Sequence, residues 1–240
     1  MDRNQSTEAL VLKTTNYSDT SLIVKVFSQD FGIQTYLAKG VKGRKSKNKS
    51  NLFQPLSILK ITGVKSKSDL LILKEVSFAQ PFIDIPFNVL KSSVLFFINE
   101  FLYRIFLAED FSDKGLYQFI KQSVTLLDRT EHAITNFHVV FLAHFTHFMG
   151  IFPNNNDNGR FFDITGGTFS HRSAIPYLDE KTSTILKQIL STPFEDFNQL
   201  ELTKNDRKQL LEGLLLYYKT HIEGFRDIKS YEVLKTVLND

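Results

Sequence analysis

Cysteine and tryptophan are absent from the 240 residues, and methionine occurs only twice. Without cysteine there is no disulfide and no thiolate-bound zinc. The opening Met1-Asp2-Arg3-Asn4-Gln5-Ser6 offers no apolar segment for a secretion signal, so the expected location is the cytoplasm. A long apolar run is missing too. Residues 133–152 carry no formal charge but include Thr135, Asn136, His138, His144, Thr146 and His147, which is too polar for a membrane span and suits the central helix of a bundle. The most informative absence is local. Between Asp30 and Asp69 there is no carboxylate, whereas Lys39, Lys42, Arg44, Lys45, Lys47, Lys49, Lys60, Lys65 and Lys67 all lie there, in a chain whose net charge is only +3. The rest of the chain is therefore net negative, and one region is built to meet polyanions.

What is present is a hydrophobic fraction of 42% with 23 phenylalanines, enough for a sizeable aromatic core. Short β-branched runs at 9–12, 22–27, 33–37, 56–61 and 70–73 predict five strands, separated by turn-forming segments. Five short strands in about seventy residues indicate a small closed barrel, and the five-strand barrel that commonly binds oligonucleotides is the OB-fold. The segment from Lys39 to Lys49, six of whose eleven residues are cationic, then joins the third strand to the fourth. Its glycine, serine and asparagine residues mark it as a loop. It reads either as a phosphate-binding loop or as a solvated lysine-rich turn. Alternation in the third strand places Phe31, Ile33, Thr35 and Leu37 on one face and Gln34 and Tyr36 on the other. Tyr36 is the candidate for stacking on a base, the other reading being an amphipathic cover of the barrel.

Beyond residue 80 the apolar spacing becomes helical, at 90–108, 112–128, 131–149, 177–190, 204–221 and 231–238. The predicted organisation is α+β: an OB-fold domain over 1–80 and an otherwise helical domain over 81–240, with a β-hairpin insertion near 154–172 signalled by Gly166-Gly167 between two β-prone runs. Charge divides at the same boundary, with thirteen basic and six acidic residues before it and sixteen and twenty after. Thr203 and Asp206 form a variant capping box ahead of the 204–221 helix. Phe137, Phe141, Phe145, Phe148 and Phe152 fall on one helical stripe and read as core.

Catalytic patterns are missing. There is no phosphate-cradling Gly-x-x-x-x-Gly-Lys-Ser/Thr, no His-Glu-x-x-His and no Gly-x-Ser-x-Gly. His138 and His147 point to opposite sides of their helix, and no carboxylate stands near them in sequence to complete a metal site, so structural histidines are the better account. A non-enzymatic protein without a cofactor is expected.

Several segments resemble a known family. Ala9-Leu10-Val11-Leu12-Lys13, Asn16-Tyr17-Ser18-Asp19-Thr20-Ser21-Leu22-Ile23, Phe31-Gly32 and Tyr36-Leu37-Ala38-Lys39-Gly40-Val41-Lys42 resemble, in order and spacing, the amino-terminal domain of the bacterial RecO family of recombination-repair mediators. Asn99-Glu100-Phe101-Leu102, Gly150-Ile151-Phe152-Pro153, Phe162-Asp163 with Gly167 and Phe169, and Lys229-Ser230 with Leu234 extend it through the helical half. The resemblance implies an OB-fold followed by a helical domain, binding to single- and double-stranded DNA, strand annealing, and partnership with RecR and single-stranded-DNA-binding protein in loading RecA. Two departures stand out. Many members carry a four-cysteine zinc element about where 154–170 lies, so the hairpin here is expected without zinc. Some members hold the acidic tail of single-stranded-DNA-binding protein with arginines beside an apolar pocket, whereas the start of the third helix here has no arginine nearer than Arg129.

The function expected is thus a DNA-binding and strand-annealing mediator of recombinational repair, with Lys39, Lys42, Arg44, Lys45, Lys47 and Lys49 on phosphates and Tyr36 on a base. The alternative is an interaction scaffold whose basic loop docks on an acidic protein or membrane surface.

Overall fold

The computed structural model describes residues 4–42, 49–65, 70–108, 112–155, 159–173 and 175–238. Five strands, β1 (Asn4–Asn16), β2 (Leu22–Ser28), β3 (Gly32–Ala38), β4 (Ile58–Lys65) and β5 (Leu71–Gln80), close into a barrel in the order β1-β2-β3-β5-β4, with β1 paired to both β2 and β4. The pairing of β3 with β5 is parallel, at Tyr36–Leu71 and Leu37–Ile72, and the others are antiparallel. This is the five-strand Greek-key barrel of the OB-fold expected from the strand count. Its interior is filled by Val11, Val24, Val26, Tyr36, Leu59 and Ile61, all at most 2% exposed.

A bulge between Val11 and Lys13 shifts the β1–β2 register. The carbonyl of the bulged residue, Leu12, accepts a hydrogen bond from Asn99 Nδ2 at 3.0 Å. Downstream of the bulge, Lys13 faces Lys25 and Asn16 faces Leu22.

Contacts divide the chain into two compact units, the first Met1–Asn88 with Ile98–Asp128 and the second Val89–Phe97 with Arg129–Asp240. In the first, α2 (Lys114–Arg129) joins the barrel through both apolar and polar contacts. The Phe27 ring meets Phe106 and Tyr117 at centroid distances of 4.7 and 5.9 Å, Lys121 pairs with Glu8 at 2.7 Å, and Lys114 with Asp30 at 3.0 Å. The Lys114 ammonium and the Thr7 hydroxyl hold the Asp30 carboxyl below its ordinary range. Asp128, almost fully buried, accepts the backbone N–H groups of Ile83, Asp84 and Ile85 at 2.8, 3.0 and 2.9 Å, fixing the connector after β5.

The second unit contains the first turns of α1 (Val89–Ala108), then α3 (Phe137–Phe145), α4 (Glu180–Ser191), α5 (Lys204–His221), α6 (Ser230–Leu238) and a three-stranded sheet ordered β7-β6-β8 from β6 (Phe161–Asp163), β7 (Thr168–Ser170) and β8 (Tyr177–Leu178). The hairpin expected near 154–172 is β6–β7, and β8 adds a third strand. Gly167, at φ +64, makes its turn, and Asp163 Oδ1 accepts the N–H groups of Thr165 and Gly166. The expected capping box is present, Thr203 Oγ1 accepting the Asp206 N–H while Asp206 Oδ2 accepts that of Thr203.

The helix expected over 131–149 is shorter than its apolar pattern. Ala133 is left-handed at φ +53, a 3-10 turn occupies Ile134–Asn136, and after Phe145 the N–H groups of His147, Phe148 and Met149 bond three residues back before Gly150 ends the run at φ +67. Phe137, Phe141 and Phe145 are buried as that stripe requires, but Phe152 lies beyond the helix and is 46% exposed. The helix expected over 177–190 starts at Glu180 because Tyr177 and Leu178 pair with β6, and Asp179 caps it by accepting the Thr182 N–H at 2.7 Å. Among the described residues no helix is long and apolar enough to cross a membrane.

His138 lies wholly inside this unit, edge-on to Phe97 at 5.8 Å, and neither ring nitrogen has a hydrogen-bond partner among the described residues. Burial, assisted by the Arg207 charge, pushes its pKa down to about 3. The folded protein therefore holds a neutral imidazole where the unfolded chain binds a proton below about pH 6.5. The stability this represents is present in full above pH 6.5 and is lost as pH falls toward 3, by at most about 1.4 kcal/mol per pH unit. Urea unfolding of a His138→Phe variant between pH 6.5 and 4 should show a stability slope shallower by up to one proton than the parent; equal slopes would mean His138 is protonated in place.

Candidate nucleic-acid interface

The basic segment leaves the barrel at the end of β3. Lys39 is exposed, Gly40 takes φ +68 with nothing near it, and Val41 turns back into the barrel core, 4% exposed. The Lys42 N–H then bonds to the Thr20 carbonyl at 3.2 Å, and Lys42 Nζ to Asn16 Oδ1 at 3.0 Å. Both bonds dock this limb of the loop on the β1–β2 turn. Arg44, Lys45 and Lys47 lie outside the described residues. Lys49, exposed, precedes the 3-10 turn Ser50–Phe53, which ends in Phe53, 4% exposed and in the same core cluster as Val41. The two limbs of the loop are thus each fastened by an apolar side chain to one core.

The turn that receives Lys42 carries an aromatic ring. Tyr17 is 60% exposed, while its own N–H bonds to the Ser21 carbonyl at 3.1 Å and that of Ser18 to the same oxygen at 3.3 Å. The ring therefore stands on a hydrogen-bonded turn next to Asn16. Asp19 shares the turn and is exposed as well.

Tyr36 does not take the stacking role expected of it. Only 1% of it is exposed, its Oη donates to Gln34 Oε1 at 2.7 Å, and burial pushes its pKa up to about 12. Alternation put Tyr36 on the outer face of β3, whereas its ring lies inside; Ile33 and Thr35, with Gln34, line an open groove of about 430 Å³ together with Phe31 and Lys65. The physical reason is on the strand opposite. Gly63 has no side chain, and a Cβ there would fall on the Tyr36 ring, so the barrel has room for an aromatic at this point. Sequence reasoning missed Tyr17, although its place between Asn16 and Ser18 in a turn was the available signal.

Residues 1–82 match the family model described as recombination protein O N terminal, and residues 86–232 match recombination protein O C terminal. The chain belongs to the RecO family. It is 35% identical over 236 residues to the DNA repair protein RecO of Flavobacterium psychrophilum, covering 97% of this chain and 98% of that one. The DNA repair proteins RecO of Phocaeicola vulgatus and Bacteroides fragilis are 32% and 30% identical, each over 98% of this chain and 99% of their own.

As a RecO-family chain it invites the question of zinc at the hairpin. The residues do not fit the ion. No thiolate is available, Asp163 Oδ1 is engaged by two backbone N–H groups, and the strands are held by an aromatic cluster in which Phe162 lies 5.0 Å from Phe169 and 5.1 Å from Tyr217. The Ser183 hydroxyl completes it, accepting the Phe162 N–H and donating to the Leu178 carbonyl.

Removing the Tyr36 hydroxyl tests its interior placement. Tyr36→Phe should lower stability by about 1 kcal/mol, the net worth of one buried hydrogen bond, and leave oligonucleotide affinity unchanged in fluorescence anisotropy. A selective loss of affinity would return Tyr36 to the interface.

Proposed function

We propose that this chain is a non-enzymatic DNA-binding and strand-annealing mediator of recombinational repair, acting in the cytoplasm with RecR and single-stranded-DNA-binding protein to help load RecA. In this reading residues 1–80 are the nucleic-acid-binding domain and 81–240 the helical domain. Family membership supports the process. The observation that carries the chemistry is the basic loop, anchored to the barrel core by Val41 and Phe53 and docked through Lys42 beside the exposed ring of Tyr17.

Lysines and an arginine on a loop reach backbone oxygens and carry no information about base edges, so binding is indifferent to sequence. Tyr17 takes the stacking role, since every base offers a π-face to an aromatic ring. Annealing follows from the same two contacts. Neutralised phosphates let two strands approach, and contact confined to the backbone and one base face leaves pairing edges free.

If about five of the six loop cations engage a single strand, the logarithmic salt slope of affinity should be near −3.5, at roughly −0.7 per contact. Reversing Lys45 and Lys47 to glutamate should flatten that slope by about 1.4 and weaken binding to all sequences alike. Unchanged affinity at low salt would sink the phosphate assignment and favour a scaffold that meets an acidic protein. Because the chain has no tryptophan, Tyr17→Trp creates a single reporter. Its fluorescence should be quenched by a thymidine oligonucleotide and left alone by an abasic strand of the same length; binding without quenching would remove Tyr17 from the stacking role.

A further inference from the structure

The β1 bulge sets two lysines side by side on adjacent strands. Lys13 pairs with Lys25 in the β1–β2 register, an arrangement that like charges ordinarily oppose. Neither makes an ion pair among the described residues. Other cations of the same unit do: Lys114 has Asp30, Lys121 has Glu8, and Arg104 has Glu100 at 3.0 Å. What the two lysines share is the ring of Tyr103 on α1. Lys13 Nζ lies 4.7 Å and Lys25 Nζ 5.9 Å from its centroid, and Lys13 Nζ donates to Tyr103 Oη at 3.3 Å.

A ring face attracts each ammonium through its quadrupole but cancels no net charge. The ring therefore gathers two positive groups without neutralising them. What such a pair lacks is an anion with several acceptor oxygens, able to accept from both ammonium groups at once.

We propose that Lys13 and Lys25, held over Tyr103, form a second phosphate site, separate from the basic loop, and that a single strand of DNA leaving Tyr17 runs along the outer face of the β1–β2 ribbon to reach it. The direction follows from the strand itself. Tyr17 directly succeeds the last residue of β1, and Lys13 lies four residues before it, roughly 13 Å along an extended chain, which is about two nucleotide steps of an extended single strand. The barrel face and the loop then hold successive parts of one strand, Tyr17 standing between them. The proposal deepens the DNA-binding reading and rests on it.

The test compares the parent with a Lys13→Gln/Lys25→Gln variant and a Tyr103→Leu variant. Binding of a labelled thymidine oligonucleotide is followed by anisotropy across a salt titration, alongside thermal unfolding of each protein. The glutamine variant should lose roughly tenfold in affinity per lysine near 50 mM salt, with a slope flatter by about 1.4, while its thermal stability holds or rises because the like-charge pair is gone. Tyr103→Leu, with both lysines kept, should bind more weakly than the parent at the same salt slope. A glutamine variant that unfolds at lower temperature yet keeps the parental slope would make the pair structural and overturn the site. Competition by a few millimolar inorganic phosphate at constant ionic strength, in the parent and not in the variant, would make it a site for free phosphate and overturn the DNA track. A glutamine variant with the parental affinity and slope, while Lys45→Glu/Lys47→Glu flattens the slope by about 1.4, would leave the loop reading intact and remove this one. A parent with no affinity at low salt would remove both.

Discussion

Closing five strands into a barrel leaves an interior too small for more than a few large side chains, and that constraint decides where the functional chemistry can be. Tyr36 fits inside only because Gly63 leaves a gap across from it. Once the ring is inside, its neighbours Ile33 and Thr35 must face out, and every long cationic side chain of the barrel is excluded to the surface or to loops. The same closure makes β1 pair on both edges. A strand committed to two partners cannot slide, so its bulge is fixed in place, and with it the alignment of Lys13 on Lys25 and the free carbonyl of Leu12 that Asn99 takes.

Electrostatics in the first unit follows a division of labour. The carboxylates of Glu8 and Asp30 are consumed in joining α2 to the barrel, each by a lysine of that helix. Asp128 is consumed by three backbone N–H groups. These acids are therefore engaged in holding the fold, while among the described residues Lys39 and Lys49 on the loop limbs and Lys13 and Lys25 on the ribbon face have no carboxylate partner. A net charge of +3 for the chain hides this, since it averages structural and surface charges.

Much of the fold was legible because local rules and tertiary structure agree. Short apolar runs rich in β-branched residues placed all five strands, and the hydroxyl of Thr203 three residues before Asp206 placed the first turn of α5. Failures occurred where the deciding partner is remote in sequence. Periodicity separates the two faces of β3 but cannot say which is inside, because that depends on Gly63, nearly thirty residues away. Nor could it shorten α3, where apolar residues continue past both ends while the backbone at Ala133 and Gly150 adopts left-handed geometry. Two-residue β8 has too little pattern to read. At the site, the loop was visible as a run of charge, yet Tyr17 and the Lys13–Lys25–Tyr103 group were not, because each depends on a turn, a bulge or a helix bringing distant residues together.

The fastening of the basic loop by Val41 and Phe53 also bears on how the family can vary. Both limbs end in one core, so the intervening chain can lengthen or shorten without moving a strand, and doubling a loop's length costs only about 0.6 kcal/mol in closure entropy. Cation number can then be tuned by insertion or deletion while the barrel is inherited unchanged. Selection can thus set the charge of the loop and the integrity of the fold as nearly independent quantities.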